Sequence, residues 1–415
     1  MRIVVAHHLW SRVGGGELVC AYAVKAMLER GHRVAVVSTF GFDEEKYREW
    51  FGIDLEGVKV YRFLPKMLPL FGIYQRLGIS RPLKKAIERE RPEVVFIDNE
   101  LYKPVLELKR ERGFRLLEYI HFPFHALRFQ MGLVPDEYRE AYERYVADAR
   151  AYHRKYERGL WRYYFGLWLK LYGRIARDDP FEAADLVMAN SKYTARLVKM
   201  LWGGDPLVLN PPVKVGDFEP YGRRPFEERD DAVVMIGRIS PEKRIEDAID
   251  AIALTDAKPT LRVVGGLIPT TVPYKESLER RAEEKGVEVE FYPNVPREEL
   301  VRLAASSKVF VHATVGEHFG VAVVEGMAAG CPVVVHRSGG PYEDIIDGGR
   351  YGEHYRTIEE LADKIDRLVT QRKTWEHYHA LSLERARKFS EEAVSYTHLR
   401  AHETRHDLVC RLLLE

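Results

Sequence analysis

The chain has 415 residues, 46% hydrophobic and 31% charged, and a formal net charge of +1. This reads as a soluble globular protein of two domains of about 150–250 residues each, with no global field for nucleic acid or membrane. The three cysteines, Cys20, Cys331 and Cys410, are far apart and odd in number. They form no disulfide framework or cysteine zinc site, and they suit a reducing compartment.

The opening MRIVVAHHLW reads as a strand, not a signal peptide. No run reaches the roughly 18 apolar residues of a spanning helix, so a cytoplasmic location is expected. The pattern RIVVAH, SRVGGG, ELVCAYAVKAMLERGH, RVAVVST is strand, glycine loop, helix, strand. Gly31 stands where a helix C-terminus favours glycine. Strands are predicted at PEVVFID (92–98) and RLLEYIH (115–121), and ADLVMANS (184–191) is the expected last strand of this half.

Residues 137–180 interrupt the series. This long, aromatic and basic segment carries seven Lys/Arg and one Glu between 151 and 177. Trp161, Tyr164, Phe165, Trp168, Leu169 and Tyr172 recur at helical spacing. Two readings stand: a helical insertion packed on its own domain, or an amphipathic surface touching anionic lipid. The segment KMLPLFGIYQRLGISRPLKK (66–85) has similar chemistry and the same two readings.

A second α/β series follows the Pro-containing NPPVKVGDF (210–218). DAVVMIGRI, TLRVVGG, VEVEFYPNV, KVFVHAT and CPVVVH read as strands, with helical segments between them. The predicted organisation is an N-terminal acceptor-side domain over 1–210 with the insertion, and a C-terminal donor-binding domain over 211–394. Two doubly wound Rossmann-like halves facing across a cleft would bind ligand at the C-terminal ends of their strands.

From Ser395 the chain reads SYTHLRAHETRHDLVCRLLLE, which resembles a translated sequencing adapter. HETRH (402–406) matches the zinc-protease pattern, but no domain surrounds it. The segment 395–415 is expected to be an artefactual or disordered tail. A zinc peptidase is the weakest of the functions weighed.

The chemistry gathers in a few short motifs. GRISPEK (237–243) follows a strand and opens a helix, so Arg238, Lys243 and free N–H groups there suit a diphosphate. A surface Glu–Arg–Lys cluster is the plainer alternative. VGGGE (13–17) lets backbone approach a ligand at Gly15 and Gly16, but it matches neither a dinucleotide fingerprint nor a P-loop. YIHFPFH (119–125) puts His121 at a strand end, with His125 a weaker candidate. EHFGVAVVEG (317–326) carries Glu317 and Glu325 eight apart, about two helical turns. RSGGPYEDI (337–345) is a glycine loop in which turn chemistry alone could account for Gly339 and Gly340. The acidic runs RDD (229–231) and RDDP (177–180) read as solvent-facing, not as a metal cluster.

Together these residues resemble glycosyltransferase family 4, of GT-B fold, over roughly residues 1–394. The Glu-x7-Glu of Glu317 and Glu325 and the GRISPEK run are the specific parts. The stretch EHFGVAVVEGMAAGCPVVVHRSGGPYEDII and YIHFPF look most like the α-1,2-mannosyltransferases of lipid-linked oligosaccharide in the N-glycan pathway. The resemblance implies a nucleotide-sugar donor, GDP-mannose in particular. It also implies a lipid-linked or glycan acceptor, retention of anomeric configuration and no bound metal or other cofactor. By family pattern Glu325 would bind the ribose hydroxyls and Glu317 the transferred sugar. Arg238 and Lys243 would neutralise the diphosphate, Phe319, Gly320 and Val321 would offer backbone N–H groups, and Gly15 and Gly16 would close over the phosphates. His121 would reach the sugar near the reacting carbon, and Gly339 and Gly340 would line the site. Other GT-B chemistry, an epimerase or a sugar phosphate synthase, is the alternative; a non-catalytic sugar-nucleotide or membrane-binding module is a third reading. Peripheral contact with an anionic membrane is expected on the lipid reading of the insertion, and nucleic acid is not expected as a partner.

Overall fold

The computed structural model describes residues 1–10, 15–66, 68, 72–98, 101–123, 159–177 and 179–394. His125, most of the insertion and the tail with HETRH lie outside the described residues. The chain divides into two compact units, changing from one to the other between Pro212 and Val213.

The strands of the first unit are β1 (Arg2–Ala6), β2 (Arg33–Ser38), β3 (Lys59–Arg62), β4 (Val94–Asp98), β5 (Leu101–Tyr102), β6 (Arg115–Ile120), β7 (Ala176–Arg177), β8 (Leu186–Ala189) and β9 (Leu207–Val208). Seven of them form one sheet in the order β3-β2-β1-β4-β6-β8-β9, with parallel pairing throughout. The sheet therefore runs one strand beyond the expected last strand: β9 has only two residues, too few to show a period. The short β5 and β7 pair antiparallel with each other.

Its described helices are α1 (Gly15–Glu29), α2 (Glu44–Phe51), α3 (Gly72–Arg76), α4 (Ser80–Glu90), α5 (Lys103–Arg112), α6 (Gly159–Ile175) and α7 (Lys192–Trp202). They cover both faces of the sheet. Leu18, Val19 and Val24 of α1 pack with Ile3, Val5 and Val36 on one face. Leu83, Ala86 and Ile87 of α4 pack with Val4, Val37 and Val95 on the other. Coverage on both sides is why the strands read as continuous apolar runs without alternation.

Helix α6 holds the described part of the basic aromatic insertion. Trp168 and Tyr172 stack at 5.0 Å and bury against Leu77, while the Tyr74 hydroxyl donates to the Tyr164 carbonyl. Leu160, Trp161, Tyr163 and Leu167 stay exposed. One face of the helix thus packs on its own unit, and another presents apolar side chains outward. No described helix is long and apolar enough to cross a membrane.

The second unit has six parallel strands: β10 (Asp230–Ile236), β11 (Thr260–Gly265), β12 (Val289–Pro293), β13 (Ser307–His312), β14 (Val333–His336) and β15 (Glu353–Tyr355). Their order is β12-β11-β10-β13-β14-β15. Around them lie α8 (Ile245–Leu254), α9 (Val272–Lys285), α10 (Arg297–Ser306), α11 (Val321–Ala328), α12 (Ile358–Thr370) and α13 (Arg372–Arg387). In both sheets strands are added first to one side of the leading strand and then to the other. The reversal falls between β1 and β4 in the first unit and between β10 and β13 in the second. Such a switch point, at the carboxyl ends of the strands, is where doubly wound sheets bind ligands.

One surface expectation is overturned here. Asp230 and Asp231 are exposed, but Arg229 is 4% exposed. Its guanidinium donates to the carbonyls of Arg224 at 3.0 Å, Ser307 at 2.9 Å, Gly222 at 3.0 Å and Ala329 at 2.9 Å. It also lies 5.1 Å from the Trp375 ring. The planar fork ties three chain segments together, at 222–224, 307 and 329, which a run of three charged letters does not reveal. Arg229→Ala leaves these carbonyls unpaired and is expected to destabilise the second unit by about 3–5 kcal/mol, measured by urea unfolding; Arg229→Lys should recover less than half of that.

Candidate active site

The second unit gathers a charged group at its switch point. Strand β10 ends at Ile236, and the chain passes through Gly237 and Arg238 into the 3-10 turn Pro241–Lys243. Strand β13 ends at His312 and leads into the loop that carries Glu317. Lys243 Nζ donates to Glu317 Oε2 at 2.7 Å, and each side chain is one-fifth exposed. His312 Nε2 stands 3.3 Å from the same oxygen.

The electrostatics follow from burial set against one cation. Burial raises the Glu317 carboxyl, but the Lys243 ammonium, with His312 behind it, outweighs this and holds the group well below the usual carboxylate range. His312 moves below its ordinary value, chiefly through burial, with Lys243 adding to it and Glu317 opposing. The pair therefore presents an anion beside a neutral imidazole. Gly237, Arg238, Lys243, His312 and Thr314 line one small pocket there. Arg238 is the outermost: its side chain is largely exposed and paired with Glu242 at 3.1 Å.

Gly339 and Gly340 serve the site through backbone. A Cβ on Gly339, at φ +75°, would stand 2.4 Å from the Glu317 carbonyl oxygen, and one on Gly340 would stand 2.4 Å from the His318 carbonyl oxygen. The Gly340 N–H donates to the Glu317 carbonyl at 2.8 Å, and the Gly316 N–H to Ser338 Oγ at 2.8 Å. The glycine loop is thus a bed for the Glu317 loop. Phe319 turns its ring into the core against Phe389, 5.5 Å away. Gly320, at φ +98°, is the N-cap of α11, and Val321 is that helix's first residue. A helix start leaves N–H groups without intrahelical acceptors.

Only Val321 to Glu325 is helical between the two glutamates. Their eight-residue separation is thus loop followed by little more than one turn, not the two turns that the spacing suggests. Glu325 is 9% exposed. It accepts from Arg297 Nη1 at 2.5 Å, and Arg297 Nε donates to Asp217 at 3.1 Å. Burial lowers the Arg297 guanidinium, but Glu325 and Asp217 outweigh this and raise it.

In the first unit, His121 stands just past β6, with Nε2 2.8 Å from Asp98 Oδ2. Gly15 opens α1, and the Cβ position of Gly16 lies 3.4 Å from His121 Nε2. The structure therefore brings Gly16 and His121 together, as it brings Lys243 and Glu317 together in the second unit.

Sequence reading missed His312, Asp98, His7 and Arg297. The first three close or follow strands in KVFVHAT, PEVVFID and RIVVAH, so the strand-end criterion that selected His121 would have selected them too. Arg297 is 28 residues from its partner and carries no local signal.

Two parallel, doubly wound units with charged groups at their switch points are the architecture of GT-B glycosyltransferases. A solved structure of this kind, sucrose-phosphate synthase from Thermosynechococcus elongatus, superposes with a TM-score of 0.69 at 18% identity, covering 97% of this chain and 98% of that one. The Glycosyltransferase Family 4 model matches residues 13–213, and the model for glycosyl transferases group 1 matches residues 222–389. The chain belongs to glycosyltransferase family 4. It is 32% identical over 244 residues to D-inositol 3-phosphate glycosyltransferase of Nocardioides, covering 52% of this chain and about half, 53%, of that one. It is also 26% identical over 374 residues to GDP-Man:Man(3)GlcNAc(2)-PP-Dol alpha-1,2-mannosyltransferase of Xenopus laevis, covering 83% of this chain and 75% of that one.

Two outcomes follow. The folded Glu317 carboxyl lies below its unfolded value, so its contribution to stability is present above about pH 4.5 and lost as pH falls through the folded value. Stability measured by urea unfolding from pH 7 to pH 3 should fall less steeply in Glu317→Gln than in the unaltered chain. Gly339→Ala, strained by both φ and contact, should cost about 1–3 kcal/mol and weaken donor binding at least tenfold by titration calorimetry, through displacement of Glu317.

Proposed function

We propose that the chain transfers a hexose, mannose from GDP-mannose, to a lipid-linked or glycan acceptor with retention of anomeric configuration. The observation that carries this reading is the Lys243–Glu317 pair at the second unit's switch point, bedded on the Gly339–Gly340 loop. The longer alignment, to a mannosyltransferase named for a GDP-Man donor and a PP-Dol acceptor, supports the donor and acceptor. The inositol phosphate acceptor in the name of the other relative is matched over a shorter span.

The chemistry fits the residues. Departure of a nucleoside diphosphate leaves an oxocarbenium-like sugar and places growing negative charge on the phosphates. Fixed donors aimed at that charge are the strongest means of lowering the barrier. Lys243 and Arg238 supply cations, and the start of α11 supplies N–H groups at Val321 and beyond. When the diphosphate takes Lys243, Glu317 becomes available to the sugar hydroxyls. Glu325, held by Arg297, is assigned the two hydroxyls of the ribose, from which it would accept. His121 and Gly16 belong to the sugar side. No divalent ion has a part in this scheme, so EDTA is expected to leave turnover unchanged.

Peripheral contact with an anionic membrane on the cytoplasmic face is part of the proposal. Leu160, Tyr163 and Leu167 recur at helical spacing on α6 and are exposed, at 85%, 77% and 54%. Arg162, Lys170 and Arg174 are exposed on the same helix. Apolar groups flanked by cations suit a lipid interface.

A thermal-shift screen of nucleotide sugars, followed by a donor-hydrolysis assay, tests the reaction. GDP-mannose is expected to raise the melting temperature and to be turned over, and Glu325→Ala is expected to weaken it at least tenfold. Absence of binding and turnover for every GDP- and UDP-sugar would remove the reading. Flotation with liposomes containing phosphatidylserine tests the surface: capture should fall with salt and be lost in Leu160→Glu/Leu167→Glu, and capture untouched by these changes would remove α6 as the contact.

A further inference from the structure

Three donors converge on one carboxylate oxygen at the switch point of the first unit. His7 follows β1, Cys20 lies on α1, Asp98 closes β4 and His121 follows β6. Asp98 Oδ2 stands 2.7 Å from His7 Nδ1, 2.8 Å from His121 Nε2 and 3.4 Å from Cys20 Sγ. The Asp98 side chain has no exposed surface, whereas His121 keeps 16%.

Burial raises the Asp98 carboxyl, but His121 and His7 outweigh it and hold the group far below the usual range. Burial would lower His7, but Asp98 and then Cys20 raise it well above its ordinary value. The Cys20 thiol is pushed up to about 12, by burial first and by Asp98. Glu17 Oε1 faces His7 Nε2 at 3.9 Å, and the Tyr119 ring stands 4.9 Å from that of His121. An ionised carboxylate only accepts hydrogen bonds, so each nitrogen that faces it carries a hydrogen.

We infer that Asp98 is a positioning residue for His121: its Oδ2, shared with His7 and Cys20, fixes the ring and its Nε2–H tautomer. In that tautomer Nδ1 is the ring nitrogen that carries the lone pair. The inference rests on the reading that His121 meets the transferred sugar. Its logic is that of any buried carboxylate behind a working histidine: orientation and tautomer are set from the side away from the substrate. Cost supports a purpose, because an enclosed charge flanked by two imidazoles is expensive beside an apolar core. The same residues contain a possible metal-ligand set, His7, Cys20 and Asp98. The 2.7 and 2.8 Å separations are those of hydrogen bonds. Two ligands on one tetrahedral ion, with bonds of about 2.0 Å, lie roughly 3.3 Å apart.

The test is nitrogen-15 histidine NMR on the full chain, with His7 and His121 assigned from His7→Gln and His121→Gln, alongside kinetics of donor turnover. In the unaltered chain at pH 7.5, His121 is expected as the Nε2–H tautomer. Asp98→Asn should shift His121 toward the other tautomer and lower kcat by about 10²–10⁴-fold, with KM for the donor within about threefold; Asp98→Glu should recover part of kcat. An Nδ1–H tautomer in the unaltered chain overturns the inference, as does an Asp98→Asn variant with full kcat and an unchanged pH profile. Stoichiometric zinc retained through gel filtration overturns it as well. If Asp98→Asn does not fold, the unaltered spectrum decides alone. Full turnover in His121→Ala would instead sink the reading of His121 as a sugar contact, which separates the two failures.

Discussion

The second unit is organised around a carboxylate that cannot be left alone. Glu317 sits in a mostly buried loop, where an unpaired anion would cost several kcal/mol. Lys243, from the far side of the β10–β13 reversal, supplies the missing charge at 2.7 Å. Everything near it serves that placement. The Gly339–Gly340 bed accepts the loop's backbone where any Cβ would collide. Phe319 anchors the loop to the core, and Gly320 turns the chain into α11. On the proposed function, a diphosphate would take the cation from this carboxylate, which would pass to the sugar hydroxyls.

The fold was legible because each strand of a doubly wound sheet is buried on both faces and so is written as an unbroken apolar run. RIVVA, VVFID and DDAVVMI announce themselves. Very short strands such as Leu207–Val208 and Glu353–Tyr355 carry no pattern of their own and exist because a neighbouring edge is available. The candidate site residues stood out for a different reason. Arg238, Lys243 and Glu317 lie in short motifs that follow strands β10 and β13, and Glu325 lies in the helix after the second of these. What surrounds them was not legible. Arg297 reaches Glu325 from another helix, Arg229 vanishes beneath the surface while its neighbours Asp230 and Asp231 stay out, and the glycine loop supports a backbone it does not adjoin in sequence. These contacts depend on tertiary geometry, to which local spacing is blind.

Each unit closes its switch point around one carboxylate, with different partners. At the second switch point one carboxylate is matched by one ammonium and a neutral imidazole. At the first, one carboxylate is shared by two imidazoles and a neutral thiol. On the proposed function, the difference follows from what each sheet end would meet. Phosphates need a full cation that can be surrendered to them, and Lys243 and Arg238 would provide it. A sugar ring presents hydroxyls and, as its bond to oxygen breaks, a positive carbon. Such a partner is served by a neutral nitrogen of fixed tautomer and harmed by a free cation. Asp98 Oδ2, shared with His7 and Cys20, holds the His121 ring from within the fold. Enclosing that carboxylate costs stability in the first unit, and on the inference above it gains definition of one proton's position.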